Sequence, residues 1–152
     1  AGLSHLDRDQ RHSYEEIFAI IRKMNMPMDA ATQLFRRMVF NVMARNHDDH
    51  TKNFSFLMEK DGHWRLAPAY DLCYSYKPGG RWVGQHQLSL NGKQEGFAHQ
   101  DLLTVGEKIG IRRCREIIEE VAEVISRWRF FAQDSGVRNS HIDEIERNLI
   151  KL

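Results

Sequence analysis

Chemistry concentrates in one stretch of this chain, Asn46-His47-Asp48-Asp49-His50-Thr51-Lys52-Asn53. Carboxylates, carboxamides, imidazoles and an ammonium group are crowded together there. A solvated loop between two elements also collects Asn, Asp and His, so composition alone says little. The spacing says more. A phosphoryl-transfer loop uses an Asp to accept the proton of the attacking hydroxyl and an Asn five residues later to hold Mg²⁺. Asp48 and Asn53 stand at that spacing. Mg²⁺ takes one or two carboxylates with phosphate oxygens and water, not an all-protein cage. Asp71 is the candidate second ligand, provided the chain between Asn53 and Asp71 folds back on itself.

The residues between them predict that return. Phe54-Ser55-Phe56-Leu57-Met58 reads as a strand, and Asp61-Gly62 within Glu59-Lys60-Asp61-Gly62 supplies a tight turn. His63-Trp64-Arg65-Leu66 reads as the second strand, ended by Pro68. The two outer ends of an antiparallel pair are neighbours, which carries Ala67-Pro68-Ala69-Tyr70-Asp71 back towards Asn53.

Helices must carry this hairpin. Ser13 with Glu16 forms a capping-box pattern, and Tyr14, Ile17, Phe18, Ile21 and Met24 share one helical face up to Pro27. A second helix, capped by Asp29, carries Ala31, Leu34, Phe35, Met38 and Val42 inward and runs into the polar stretch. Residues 73–98 read as a long loop with an extended piece around His86–Leu90, and loops of that length in a compact domain are usually functional. Helices follow over Gln100–Ile109, stopped by Gly110, and over Arg112–Ala132. A last helix is capped by Ser140, with Ile142, Ile145 and Leu149 inward. Met24, Met26 and Met28 read as core and turn residues. Tyr76 and Trp82 are divided between burial and a substrate-facing loop. The expected fold is mainly α, with one small β-hairpin.

The chain has 152 residues, enough for one domain with a real core. With 41% hydrophobic and 28% charged residues, it is neither a disordered tail nor a membrane protein. A net charge of +1 gives little bulk attraction to nucleic acid or anionic lipid. Cys73 and Cys114 make no metal spacing and read as buried free thiols of a cytoplasmic protein. Residues 1–12 read as a polar tail or cut edge without an initiator Met, and 13–152 as the folded lobe.

Asn46-His47-Asp48-Asp49-His50-Thr51-Lys52-Asn53-Phe54-Ser55, followed by Trp64-Arg65-Leu66-Ala67-Pro68-Ala69-Tyr70-Asp71-Leu72, resembles the C-terminal lobe of the HipA-like serine/threonine kinases, toxins of bacterial toxin–antitoxin pairs. The likeness is strongest over residues 38–75. It implies the helical lobe of a protein-kinase-like fold, with ATP and Mg²⁺ as cofactors. Asp48 would be the catalytic base, and Asn53 and Asp71 the Mg²⁺ ligands. His50, Lys52, Asn53, Tyr70 and Asp71 would form the ATP-binding set, with His50 and Lys52 facing the phosphates. The implied partners are a Ser/Thr protein substrate and, for a longer parent protein, a helix-turn-helix antitoxin through which DNA is met indirectly. Asp49 is expected to be a solvated neighbour of Asp48, and His47 a loop or packing residue. Leu72 after Asp71 leaves no glycine hinge of the Asp-Phe-Gly kind. No G-x-G-x-x-G and no strand lysine precedes residue 45, so this chain alone is expected to bind Mg-ATP poorly and to transfer phosphate hardly at all.

Two other classes remain open on sequence. His47-Asp48, with His12 and Asp71, would suit an HD-type metal phosphohydrolase. Arg112, Arg113, Arg115, Arg127, Arg129 and Arg138 would suit a non-catalytic module docking an antitoxin or DNA. The interleaved Glu116, Glu119, Glu120 and Glu123 read instead as a mixed solvated face.

Overall fold

The computed structural model describes residues 12–151. The proposed polar tail therefore lies outside the described residues, apart from His12. In chain order come α1 (Tyr14–Lys23), α2 (Met28–Met43), a single 3₁₀ turn over Thr51–Asn53, β1 (Phe56–Met58), β2 (Trp64–Leu66), α3 (His99–Ile109), α4 (Cys114–Ser126), α5 (Trp128–Asp134) and α6 (Asn139–Asn148). The architecture is mainly α with one antiparallel hairpin, as the sequence pattern predicts.

The centre of the core is α2. Leu34, Phe35, Met38, Val39, Val42 and Met43 are wholly buried, against α1, α3 and α4. Gly106 on α3 is what lets these helices close: a Cβ there would lie 2.6 Å from Cys114 Cβ and 3.0 Å from the Phe35 ring. Ser13 Oγ accepts from Glu16 N at 3.2 Å, but only half of the capping box forms. The Glu16 carboxylate turns to His12 Nδ1 instead, at 2.8 Å. Several helix boundaries differ from expectation, two of them, the starts of α3 and α4, by only one or two residues. Pro27, not Asp29, occupies the N-cap of α2 and gives no side-chain bond. Arg138 rather than Ser140 precedes α6. The helix expected over Arg112–Ala132 breaks at Arg127. There, Ser126 Oγ donates to Glu123 O, and the turn lets α5 run beside α6. Trp128 Nε1 donates to Ile142 O, and Arg129 pairs with Asp143 and Glu146.

In the hairpin Phe56 pairs with Leu66, Leu57 with Arg65 and Met58 with Trp64. Gly62 (φ 87°) takes the positive angle the turn requires. Ala67 N donates to Ser55 O at 2.9 Å and extends the ladder one step towards the polar stretch. Residues 67–98 contain no helix or strand longer than a bridge, yet they are tied down at both ends. Ser75 bridges Asn46, and Ser89 bridges Ser13. A tight turn at Asn91-Gly92 (φ 49° and 76°) follows buried Leu88 and Leu90. Cys114 is buried as expected, but Cys73 is exposed; both are free thiols.

Candidate active site

The polar stretch leaves α2 by a sharp turn. Asn46 N returns to Asn41 O, and Arg45 takes a left-handed conformation (φ 56°). That backbone is unfavourable for a residue other than Gly or Asn, and it persists because its surroundings over-determine it. Ser75 N donates to Arg45 O, Arg45 Nε donates to Asn148 O, and the Arg45 guanidinium lies 4.5 Å from the Tyr76 ring centre. The loop that follows is not a solvated one. Asn46, His47 and Asp49 are all buried, while Asp48 remains partly open.

Asp49 corrects the expectation of a solvated neighbour. It is 0% exposed, and its two oxygens collect four donors. Tyr14 Oη donates to Oδ2 at 2.7 Å, and His86 Nδ1 stands 2.9 Å from the same atom. Gln87 N and Leu88 N donate to Oδ1 at 2.8 and 3.4 Å. Asp49 thus pins α1 and the 86–88 segment to the loop. Burial, then the Asp49 charge, push the Tyr14 hydroxyl well above its ordinary pKa. His47 is a packing residue, its ring against Tyr76 and His86 at 4.8 and 4.2 Å between centres. Burial first, then His86, lower its pKa from 6.5 to about 4, so it is neutral at ordinary pH.

A second polar chain starts from the same hub. Asn41 Nδ2 donates to Tyr14 Oη at 3.0 Å. Asn46 Nδ2 donates to Asn41 Oδ1 at 3.0 Å and to Asp71 O at 3.1 Å. The loop and the Asp71 segment, 25 residues apart, are therefore joined through one carboxamide. Asp71 itself is left-handed (φ 55°). Tyr70 Oη, placed one residue earlier, donates to Lys52 O at 2.5 Å and lies 2.5 Å from Ser55 Oγ.

Among the expected site residues, Asp48 and Asn53 are in direct contact: Asn53 Nδ2 donates to Asp48 O at 2.9 Å. With its NH₂ committed, Asn53 has Oδ1 as the atom to offer a cation. Cys73 Sγ donates to Asn46 Oδ1 at 3.8 Å, and its thiol pKa is raised by partial burial, then by the charges of Asp71 and Asp48. His50 Nε2 stands 3.9 Å from Asp48 Oδ1. The Tyr70 hydroxyl serves the tie to Lys52 and Ser55, leaving its ring exposed. Lys52 is exposed and lines a groove with α1 and the hairpin. Of the two loop aromatics, Trp82 is exposed and Tyr76 half-buried.

The oxygen donors Asn53 and Asp71 suit a hard cation such as Mg²⁺, with phosphate and water completing its shell. Among the described residues no group of three or more His, Cys, Asp or Glu is arranged to hold a metal. His12 is paired with Glu16, His47 is packed inside, and a 3₁₀ turn and a strand follow Asp48. These positions disfavour an HD-type hydrolase. The arginines of the docking alternative are divided too. Arg113 faces Glu120, Arg129 holds two carboxylates, and Arg127 lies over the Phe130 and Phe131 rings.

Tyr14, Asn41 and His86 support the candidate site without having been singled out for it in the sequence, and Asn46 stood in the polar stretch without an assigned role. Asn41 carried a usable signal, a carboxamide on the buried stripe of α2 between Met38 and Val42. His86 carried none, because its partner lies 37 residues away.

The family model for the HipA-like C-terminal domain matches residues 1–128. A protein of Haemophilus influenzae described as a "Putative kinase" is 26% identical over 157 residues, covering 90% of this chain and 46% of that protein. "Putative kinase Y4mE" of Sinorhizobium fredii is 26% identical over 130 residues, covering 76% of this chain and 29% of that protein. The chain thus spans less than half the length of either relative.

Proposed function

The chain belongs to the HipA-like C-terminal domain family, and on that premise we propose that it is the catalytic lobe of a protein serine/threonine kinase. The observation that carries the proposal is the Asn46 tie. It ties the backbone carbonyl of Asp71 to the loop that bears Asp48 and Asn53, which supports reading the three as base and oxygen ligands of one site.

In this reading the Asp48 carboxylate receives the proton of a substrate Ser or Thr hydroxyl. The hydroxyl oxygen bonds to the γ-phosphorus of ATP, the bridging P–O bond to the β-phosphate breaks, and ADP leaves. Asn53 Oδ1 and the Asp71 carboxylate would hold Mg²⁺, which neutralises charge on the phosphate oxygens. The tie from Asn53 to the Asp48 carbonyl keeps base and ligand in fixed relation, and such positioning is most of what phosphoryl transfer asks of a protein. His50, beside Asp48, and Lys52 would add N–H donors to the phosphates, with Tyr70 at the edge of the same site. A protein substrate, and a helix-turn-helix antitoxin for the longer protein, are the partners this reading implies. Among the described residues no helix is long and apolar enough to cross a membrane.

The test is transfer of labelled phosphate from ATP to a serine- and threonine-bearing protein by a longer form carrying this lobe together with a nucleotide-covering segment. Asp48→Asn is expected to lower transfer by about 10²–10⁴-fold with melting unchanged. Undiminished transfer would remove Asp48 from its role.

A further inference from the structure

Asp48, Asn53 and Asp71 come from separate turns of the chain, and one side chain reaches the surroundings of all three. Tyr14, the first residue of α1, is buried. Its hydroxyl donates to Asp49 Oδ2 at 2.7 Å, one residue past Asp48. Its ring meets the Phe54 ring edge-on, 5.9 Å between centres and 84° between planes, one residue past Asn53. Towards Asp71 the link is longer but unbroken. Asn41 Nδ2 donates to the Tyr14 hydroxyl at 3.0 Å, and Asn46 Nδ2 donates to Asn41 Oδ1 at 3.0 Å. The same Asn46 nitrogen donates to Asp71 O at 3.1 Å.

This chain of bonds has a direction, and the direction is set at Tyr14. A phenol has one proton to give, and a carboxamide NH₂ can only donate. The Tyr14 oxygen therefore accepts from Asn41 and sends its proton to Asp49. Asn41 Oδ1 is left facing Asn46, which must turn its NH₂ that way, and the second proton of that NH₂ reaches Asp71 O. Cys73 Sγ, 3.8 Å from Asn46 Oδ1, takes the other end of the carboxamide. Turning either carboxamide over would set oxygen against oxygen in at least one link. Asn41 and Asn46 are both buried, where such a mismatch is costly. At the far end Asp71 holds a left-handed backbone (φ 55°), a state that persists where the surroundings fix it.

We propose that Tyr14 is a positioning residue of the candidate active site: its hydroxyl fixes the peptide of Asp71 through Asn41 and Asn46, and its ring seats Phe54 beside Asn53. The inference rests on the kinase reading and adds to it a residue from outside the polar stretch. The two parts of the side chain divide the task. The hydroxyl serves Asp49 and Asp71. The ring serves the Asn53 end, where Asn53 is also tied to Asp48 O. Tyr14→Phe therefore cuts the first and spares the second. Residues that orient a metal ligand from behind are typically worth about 10–100-fold in metal affinity.

The experiment titrates Mn²⁺ with ATP into the isotope-labelled chain, at levels that populate even a weak site, and reads the broadening of amide signals. Tyr14→Phe is expected to lower the metal affinity read at Asp71 by about tenfold or more. Because it also removes a buried hydrogen bond, Ile118→Val in the core on α4 is the control, and it should lose stability without losing metal affinity. Asn46→Ala should cost at least as much as Tyr14→Phe, and Tyr14→Phe added to it should cost little more, because both cut one chain. In the unmodified protein the side-chain amide protons of Asn41 and Asn46 should exchange with solvent far more slowly than those of exposed Asn139, a reading that needs no variant to fold. Fast exchange at Asn41 and Asn46, an equal loss of affinity in Ile118→Val, or a full second loss in the double variant would each overturn the proposal. Broadening at Asn53 and Asp71 that Tyr14→Phe leaves unchanged rejects the role of Tyr14 alone. No broadening there in the unmodified protein rejects the metal site, and the role of Tyr14 with it.

Discussion

Two regions meet at the candidate active site and are built by opposite rules. Behind the loop, Tyr14, Asn41, Asn46, Asp49 and His86 are polar or titratable and buried. In front of it, Leu57, Met58 and Trp64 of the hairpin are apolar and exposed. Ordinary residue preferences would reverse both. A hydrogen-bonded buried polar network fixes one geometry, because a shift leaves further donors unpaired in a medium where that is costly. Exposed apolar surface leaves area to cover with another chain. The rear wall therefore sets the positions of Asp48 and Asp71, while the front offers a place to bind.

Breaking the rear wall should have the largest effect. Asp49→Ala strips four donors of their acceptor and is expected to cost about 3–5 kcal/mol, read as a shift in the urea midpoint. A cost near that of a surface change would mean that the hub does not organise the loop. His47 should come next, through pH. Its folded pKa, about 4, lies below the unfolded 6.5. The unfolded chain therefore takes up its proton first as pH falls. Stability should be fully present above pH 6.5 and fall by about 3 kcal/mol as the pH approaches 4. His47→Phe, measured by urea titration across that window, should flatten the dependence. An unchanged slope would assign it to other groups. The front should respond least. Met58→Ser, at a position 63% exposed, should change stability by about 0.5 kcal/mol or less. A larger loss would show that the hairpin is packed in solution and would blur the contrast.

The same contrast explains what was legible in the sequence. The apolar stripes of α1 and α2 and the Asp61-Gly62 turn are local patterns, and the structure follows them. The return of the Asp71 segment to the loop of Asp48 and Asn53 was legible because the hairpin between them fixes it, and Tyr70 and Ala67 reach Lys52 and Ser55 as that geometry requires. Asp49 was misread because adjacent carboxylates look alike in a sequence. What separates Asp48 from Asp49 is a set of donors from Tyr14 and from residues 86–88, none of them near in sequence. The break at Arg127 was hidden for a similar reason. Helical spacing continues through it, and the partner that α5 turns to meet, α6, lies beyond it.

The central claim is that Asn53 and Asp71 form a metal-nucleotide site beside Asp48. Its most direct measurement is Mn²⁺ with ATP added to the isotope-labelled chain at levels that populate even a weak site, read as paramagnetic broadening of backbone amide signals. The account predicts broadening centred on residues 48–53 and 70–73. Asp71→Asn should abolish it at unchanged melting, because Asn tolerates the left-handed backbone that Asp71 adopts. Broadening centred instead on surface carboxylates such as Asp143 and Glu146, or broadening that survives Asp71→Asn, would contradict it.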